Sequence, residues 1–174
     1  MPSRLRVPFG YLLGILVLAL AHPSPVSLAA GGAIALAGET IRLWASGHID
    51  KTRALATGGP YAHTRNPLYL GSFVMAIGVA VAAASPWAAL AVAIYFAAFY
   101  PSVMREEAAF LRARFPEEYA AWAAGVPLFV PRLAPDGPRA TSFQWDRVRR
   151  NREWRTAIAV PALAALLWAR AWLP

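Results

Sequence analysis

Apolar residues along the chain collect into five runs that are separated by polar or proline-containing breaks. The runs cover residues 7–21, 26–45, 67–84, 86–103 and 154–173. A bilayer core takes roughly 20 helical residues, so these runs predict membrane-crossing α-helices, some of which extend into their polar flanks. Proline in the HPSP and SPW sequences ends the first and third runs. We therefore predict an all-α polytopic membrane helix bundle with about five transmembrane helices.

Composition and charge support this interpretation and predict an orientation. The 174 residues are 58% hydrophobic. Ten of the 17 basic residues, from Arg105 to Arg155, lie between the end of the fourth run and the start of the fifth run, of which Arg155 is the second residue. The HPSP and SPW loops contain none. The positive-inside rule then places the N-terminus in the cytoplasm and the C-terminus outside. The net charge of +8 reflects cytoplasmic arginines rather than nucleic-acid binding. Residues 46–66 and 104–153 are predicted to share the cytoplasmic face.

The first candidate for chemistry is the sequence GGPYAHTRNPLYLG, residues 58–71. Its Gly-Gly-Pro start predicts a turn, and Asn66 followed by proline predicts a helix start. Backbone N–H groups at a helix start attract an anion such as a carboxylate, and Arg65 and His63 are placed to add charge-assisted hydrogen bonds. From these residues alone, an ordinary polar turn is the alternative. Two tyrosines flank the turn, Tyr61 and Tyr69. Each can stack on a flat ring or donate a hydrogen bond from its hydroxyl group.

The second candidate begins with two adjacent carboxylates, Glu106 and Glu107, directly after the fourth run. Neighbouring carboxylates at a membrane edge repel each other, and a bound cation would relieve that cost. The alternative is a solvated pair neutralised by nearby arginines. Aromatic residues at helical spacing follow, as far as Trp122, and predict an amphipathic interfacial helix on the cytoplasmic side. An anion site and a carboxylate pair on one face together suit a zwitterionic amino-acid group.

These two segments resemble the signature of a superfamily of integral-membrane methyltransferases. The superfamily contains the isoprenylcysteine carboxyl methyltransferases and the phospholipid methyltransferases. The chain reads GPYAHTRNPLYLG, EEAAFL, FPEEYAAW and VPLFVP in the order of the family motifs, within residues 55–131. One position departs from the family pattern, because Asn66 stands where a histidine is usual. His63, one turn earlier, either compensates for this change or is simply an interfacial residue.

The resemblance implies S-adenosylmethionine as the methyl donor, bound at the cytoplasmic face. It also implies a lipidic or membrane-partitioned acceptor that carries a carboxylate, amine or thiol. Glu106 and Glu107 would meet the amino or ribose groups of the cofactor. The remaining cofactor-pocket residues implied by position are Gly59, Tyr61, Arg65, Asn66 and Tyr69. His63 joins them as the residue that would compensate for the missing histidine at position 66.

Catalytic roles are predicted for Arg65 and Glu107. An amine acceptor needs a base, for which Glu107 is the candidate, whereas Arg65 would orient an anionic acceptor. Glu39, inside the second run, either faces the acceptor or pairs with Arg42 one turn away. Trp122 is a further candidate for the substrate side. No metal site is predicted.

The predicted organisation is a single membrane domain over residues 1–174, a length that allows about one compact domain. Its parts are a helical hairpin (7–45), a methyltransferase-like core (46–131), a basic cytoplasmic connector (132–153) and a C-terminal transmembrane helix (154–173). We expect a bacterial inner (plasma) membrane location, with the bilayer and a lipid or lipid-modified acceptor as partners. Two alternatives remain open: an NADPH-dependent membrane enzyme of the sterol-reductase type, and a small transporter or adaptor without enzymatic activity.

Overall fold

A computed structural model describes residues 2–50, 54–136 and 142–171. Within these ranges the chain forms seven α-helices and one short 3₁₀ turn, Gly59–Ala62, and no strand, which confirms the all-helical prediction for this part of the chain. The helices are α1 (Pro2–Leu20), α2 (Pro25–His48), α3 (Pro67–Ala83), α4 (Pro86–Arg114), α5 (Pro116–Gly125), α6 (Trp145–Arg150) and α7 (Trp154–Arg170).

The helix boundaries follow the proline pattern and, in one case, differ from the apolar runs. Helices α1 to α5 each begin at a proline, which fits the first helical position because its missing N–H would have no partner there. Helix α4 continues to Arg114, beyond the predicted end of the fourth run at residue 103. The polar residues that follow the run are good helix formers, so the helix continues until Pro116 approaches.

Two helices are long and apolar enough to cross a membrane by length and composition, Pro25–His48 and Pro86–Arg114. The apolar helices Leu5–Leu20 and Pro67–Ala83 are shorter. These findings support a membrane protein. The number of about five transmembrane helices and the orientation of the chain stay predictions.

The chain divides into two compact units. The first unit comprises Met1–Glu39, Phe73–Val103 and Thr156–Pro174, and the second comprises Thr40–Ser72 and Met104–Arg155. The core of the first unit is built from small and branched apolar side chains together with one aromatic ring. Its buried members are Val17, Ala21, Ala82, Ala83, Ala88, Val92, Phe96 and Leu167.

Glycines let α2 and α3 approach closely within the first unit. A Cβ atom added at Gly31 would lie 2.5 Å from the backbone nitrogen of Ala82, and one added at Gly78 would lie 2.5 Å from that of Ala35. Contacts this short leave no room for a side chain. Small residues at a helix interface allow such backbone approach, which is how membrane helices pack without a hydrophobic driving force between them.

The second unit has its own core, made of Ala45, Ala56, Tyr61, Tyr119, Trp122 and Val126. Three of its six members are aromatic, and these come from both sequence segments that were selected for chemistry. The core of this unit and the two segments selected for chemistry therefore share these aromatic residues.

Replacement of Gly31 by alanine should destabilise the protein, because the new Cβ would clash with the α3 backbone. Overpacking of this kind costs about 1–3 kcal/mol of unfolding free energy. The neighbouring Gly32 is the matched control, since a Cβ there meets nothing within 4 Å. Gly32→Ala should be neutral or stabilising by up to about 1 kcal/mol, because alanine favours the helix. Thermal unfolding in detergent measures both, and equal midpoints for the two variants would contradict the packing described.

Candidate functional site

The second unit contains a cavity of about 140 Å³ that brings the two sequence segments together. Its walls come from the end of α2 and the residues after it, from the 3₁₀ turn and the loop after it, and from α4 and α5. The lining residues are Ile49, Asp50, Ala54, Leu55, Ala56, Tyr61, Arg65, Glu107, Phe110, Leu111, Phe115 and Trp122.

The 3₁₀ turn that carries Tyr61 requires glycine at its first position. Gly59 has a φ of +59°, in the left-handed region that favours glycine. A Cβ at Gly59 would also come within 2.6 Å of the His48 ring. On the other side of the turn, the indole Nε1 of Trp122 donates a hydrogen bond to the carbonyl oxygen of Tyr61 at 3.0 Å. The turn is therefore held between the end of α2 and helix α5.

The 3₁₀ turn and the loop after it pair, through backbone hydrogen bonds, with the VPLFVP segment and the residues that follow it as far as Asp136. Arg65 donates its N–H to the carbonyl of Pro127 at 2.9 Å. Arg132 donates to the carbonyl of His63 at 2.9 Å, and Asp136 donates to that of Ala62 at 3.0 Å. The VPLFVP motif therefore has a structural role, because it helps to fix the loop that carries Arg65.

Three polar side chains of this loop are used by the same pairing. The amide Nδ2 of Asn66 donates to the carbonyl of Leu128 at 2.8 Å, and the Thr64 hydroxyl donates to that of Phe129 at 2.9 Å. His63 Nδ1 lies 2.9 Å from the carbonyl of Arg132, so this nitrogen carries the proton. Neither Asn66 nor His63 lines the cavity. Asn66 directly precedes α3, as predicted, but its side chain does not cap the helix. Its backbone carbonyl accepts hydrogen bonds from the N–H groups of the third and fourth residues after it.

Arg65 lines the cavity and is oriented by a tyrosine. Its Nη1 donates to the Tyr119 hydroxyl at 3.0 Å, and its guanidinium carbon lies 5.9 Å from the centre of the same ring. Its Nε atom is buried and has no hydrogen-bond partner among the residues that the structure describes. A buried donor without a partner is costly, so this atom marks a place where a ligand can accept a hydrogen bond.

Tyr61 is the second cavity residue with an unused polar atom. The side chain is 5% exposed, and its hydroxyl is buried without a hydrogen-bond partner. Burial raises the pKa of this hydroxyl well above its ordinary value, and the negative charges of Glu107 and Glu153 raise it further. Tyr61 therefore stays protonated and acts as a neutral hydrogen-bond donor.

The two adjacent glutamates separate in the structure. Both lie in α4, but Glu107 is half-buried and lines the cavity, whereas Glu106 is exposed and does not line it. Helix geometry accounts for this, because consecutive residues point about 100° apart. Tyr69 is half-buried in the first turn of α3, and neither it nor Gly59 is a lining residue.

Trp122 lines the cavity, as a substrate-side candidate should, whereas Glu39 belongs to the other unit. Glu39 is only 6% exposed within α2. Arg42, its predicted alternative partner, makes a salt bridge of 2.6 Å with Glu153, which is 5% exposed. Its Nη1 also donates to the carbonyl of Leu68 at 3.2 Å.

Sequence reasoning missed two kinds of lining residue. Asp50 is the main omission, although it lies only five residues beyond the end of the second apolar run. Phe110 and Phe115 were recognised only as part of an amphipathic pattern, yet they form apolar walls of the cavity. An aromatic stripe at helical spacing indicates which helix face is buried, but it does not say that the face borders a cavity.

Comparison with known proteins agrees with the motifs. The family model for phospholipid methyltransferases matches residues 33–118, about half of the chain, which confirms the resemblance to the integral-membrane methyltransferase superfamily. The chain is 38% identical over 95 residues to the cobalt-zinc-cadmium resistance protein CzcN of Cupriavidus metallidurans. It is 39% identical over 95 residues to the nickel-cobalt-cadmium resistance protein NccN of Alcaligenes xylosoxydans xylosoxydans.

Each of these alignments covers 53% of this chain and 44% of the relative, so the chain spans less than half the length of the curated relatives it matches. No solved structure matches the chain.

Replacement of Asn66 by aspartate should destabilise the protein at neutral pH. The carboxylate keeps the shape of the amide but loses its N–H donor and repels the carbonyl of Leu128, at a cost of about 1–3 kcal/mol. Gln144→Glu is the control, because it makes the same amide-to-carboxylate change at an exposed position. Chemical unfolding in detergent compares the two, and an unchanged Asn66→Asp protein would argue against the structural role of this amide.

Replacement of Tyr61 by phenylalanine should leave the free protein equally stable or stabilise it by up to about 1 kcal/mol, because it removes a buried hydroxyl without a partner. The matched control, Tyr119→Phe, should destabilise, since it removes the acceptor of the Arg65 hydrogen bond.

The pH dependence gives a second test of the Tyr61 environment. Above pH 10, the ordinary tyrosine pKa, the unfolded chain ionises Tyr61 while the folded protein does not. The wild type should therefore lose stability relative to Tyr61→Phe as the pH rises through this range. If the two proteins lose stability in parallel, the hydroxyl is not buried as described.

Proposed function

We propose, from the match of residues 33–118 to the phospholipid methyltransferase family, that the protein is a methyltransferase of the membrane. Its methyl donor would be S-adenosylmethionine. Its acceptor would be lipidic or membrane-partitioned, with a carboxylate, amine or thiol as the methylated group. Methyl transfer would take place at the cytoplasmic face of a bacterial inner membrane.

The observation that carries this proposal is the cavity itself. It joins Tyr61 and Arg65 of the first motif to Glu107 and Trp122 of the second, although the two motifs are some 40 residues apart. Two buried polar atoms at this cavity, the Tyr61 hydroxyl and Arg65 Nε, have no hydrogen-bond partner within the described part of the chain. Sites that bind a polar ligand have this combination of apolar walls and a few unused donors.

The lining residues fit the parts of S-adenosylmethionine. The Arg65 guanidinium suits the carboxylate of the methionine part, and the Glu107 carboxylate suits its ammonium group. Apolar rings from α4 and α5 suit a flat base. Pockets for small molecules typically measure about 300–1,000 Å³. The cavity of about 140 Å³ is smaller than this, so the cofactor would fill it and extend beyond it.

When bound, S-adenosylmethionine supplies a methyl group on a positively charged sulfur. The protein's contribution would be to position the two reactants and to exclude water. In the alternative assignment these two side chains, Arg65 and Glu107, face the acceptor instead of the cofactor. Arg65 would then orient an anionic acceptor, which needs no base. For an amine acceptor Glu107 would then take up the proton, because it is the half-buried carboxylate of the tandem pair.

The names of the relatives suggest a biological setting for this reaction. Both are named for resistance to cobalt and cadmium. We therefore propose that the methylated product contributes to tolerance of divalent metal ions. A strain lacking the protein should grow less well on cobalt or cadmium salts, and the wild-type gene but not the Glu107→Gln variant should restore growth. Full restoration by the variant would separate any resistance role from methyl transfer.

Calorimetric titration of the purified protein in detergent should show binding of S-adenosylmethionine and S-adenosylhomocysteine but not of NADPH. Arg65→Ala and Glu107→Gln should each weaken the binding of S-adenosylmethionine about tenfold or more, because each removes a hydrogen bond to a charged group. Arg149→Ala and Glu118→Gln make the same charge changes at exposed positions and should bind normally. Thermal unfolding of each variant verifies that it is folded.

The other outcomes distinguish the alternatives. Binding of NADPH alone would favour a reductase of the sterol-reductase type, and binding of none of the three would favour a transporter or an adaptor. Incubation of the protein with a lipid extract and isotopically labelled S-adenosylmethionine, followed by mass analysis, identifies the acceptor. No labelled lipid from any extract would contradict a lipidic acceptor.

A further inference from the structure

Asp50 is a cavity residue that neither sequence motif includes. Three of the described lining residues carry a charged side chain: Asp50, Arg65 and Glu107. Arg65 and Glu107 suffice for the two charges of an amino-acid group, one for the carboxylate and one for the ammonium. Asp50 adds a second carboxylate, so the described lining residues carry one net negative charge.

The chain fixes the position of Asp50 by capping the helix that precedes it. The last carbonyl groups of a helix have no partner inside the helix and need donors from elsewhere. At the end of α2 these donors come from residues 142–155, beyond the family match. The hydrogen bonds run from Asn151 Nδ2 to Ser46 (3.0 Å) and Ile49 (3.2 Å), from Gln144 N to Gly47 (3.0 Å), and from Arg147 Nη1 to His48 (3.4 Å).

Packing and charge add to this capping. A Cβ at Gly47 would lie 3.0 Å or less from atoms of the Phe143 ring, so the ring rests directly on the helix backbone. Arg150 Nη2 lies 3.9 Å from the Asp50 carboxylate, and the arginine side chain is 59% exposed. An ion pair this long and solvated contributes little energy, so it orients the carboxylate more than it neutralises it.

The net negative charge of the described lining residues is opposite in sign to the net positive charge of the proposed cofactor. S-adenosylmethionine carries an ammonium, a sulfonium and a carboxylate, so its net charge is one unit more positive than that of S-adenosylhomocysteine, whose sulfur is neutral. We propose that Asp50, positioned by the hydrogen bonds of Gln144, Arg147 and Asn151 to the end of α2, makes the cavity prefer the charged methyl donor over the neutral product. This inference rests on the proposed function and extends it, because weaker binding of the product favours its release after methyl transfer.

The test compares the affinities of the two ligands for each protein by calorimetry. Asp50→Asn keeps the shape and removes the charge, so binding of S-adenosylmethionine should fall about tenfold while that of S-adenosylhomocysteine falls much less. Asp50→Glu keeps the charge and should retain most of the preference. Asp146→Asn, at an exposed position in α6, is the matched control and should leave both affinities unchanged.

The positioning role has its own variant. Asn151→Ala removes two of the three side-chain hydrogen bonds that cap the end of α2. It should reduce the preference for S-adenosylmethionine, in addition to lowering the unfolding temperature. A merely structural Asn151 would lower the unfolding temperature and leave the ratio of the two affinities unchanged, which would overturn this part of the proposal.

The outcomes also separate this inference from the proposed function. If the wild type binds S-adenosylmethionine and Asp50→Asn shows the same ratio of affinities, the role of Asp50 is wrong and the proposed function stands. If the wild type binds neither ligand, the proposed function fails and this inference fails with it. The inference is supported if the ratio of the two affinities falls in Asp50→Asn and stays unchanged in Asp146→Asn.

Discussion

The candidate site depends on the backbone pairing between the segment before α3 and the VPLFVP segment with the residues that follow it. Hydrogen bonds from Arg65, Arg132 and Asp136 join two stretches of irregular backbone that are more than 60 residues apart. Buried backbone groups must find partners, and irregular loops satisfy few of them internally. Each stretch provides partners for the other, and this fixes both Arg65 and the helix that carries Trp122 of the cavity and Tyr119, the partner of Arg65.

This constraint explains why a short polar motif contains two kinds of side chain. Thr64 and Asn66 are almost fully buried, and their polar atoms are bonded to carbonyl groups of the VPLFVP segment. Tyr61 and Arg65 are also buried in part or in full, yet each keeps one polar atom without a partner. The first pair stabilises the fold, and the second pair retains a hydrogen-bonding capacity that only a ligand can use. Polar groups left unsatisfied in an otherwise satisfied structure are expected at functional sites.

The sequence predicted the helices well and the roles of individual polar residues only partly. Apolar runs and prolines locate helices because both act locally, and the one large difference, the extension of α4, came from polar residues with high helix propensity. The same extension separates Glu106 from Glu107. Asn66 was expected to face a ligand, but its partner is a carbonyl 62 residues away, which no local pattern encodes. Asp50 was missed for the same reason, since only the tertiary structure shows that the end of α2 borders the cavity.

The end of α2 shows how residues outside the family match affect the site. A helix C-terminus carries a partial negative charge from its free carbonyl groups, which would add to the charge of Asp50 and Glu107. Donors from residues 144–151 bind those carbonyl groups and reduce that contribution. The remaining negative charge then lies mainly on the two carboxylates, whose positions are fixed by α2 and α4. The family motifs supply the frame of the cavity and one charge of each sign, and the segment before α7 determines where the additional negative charge is held.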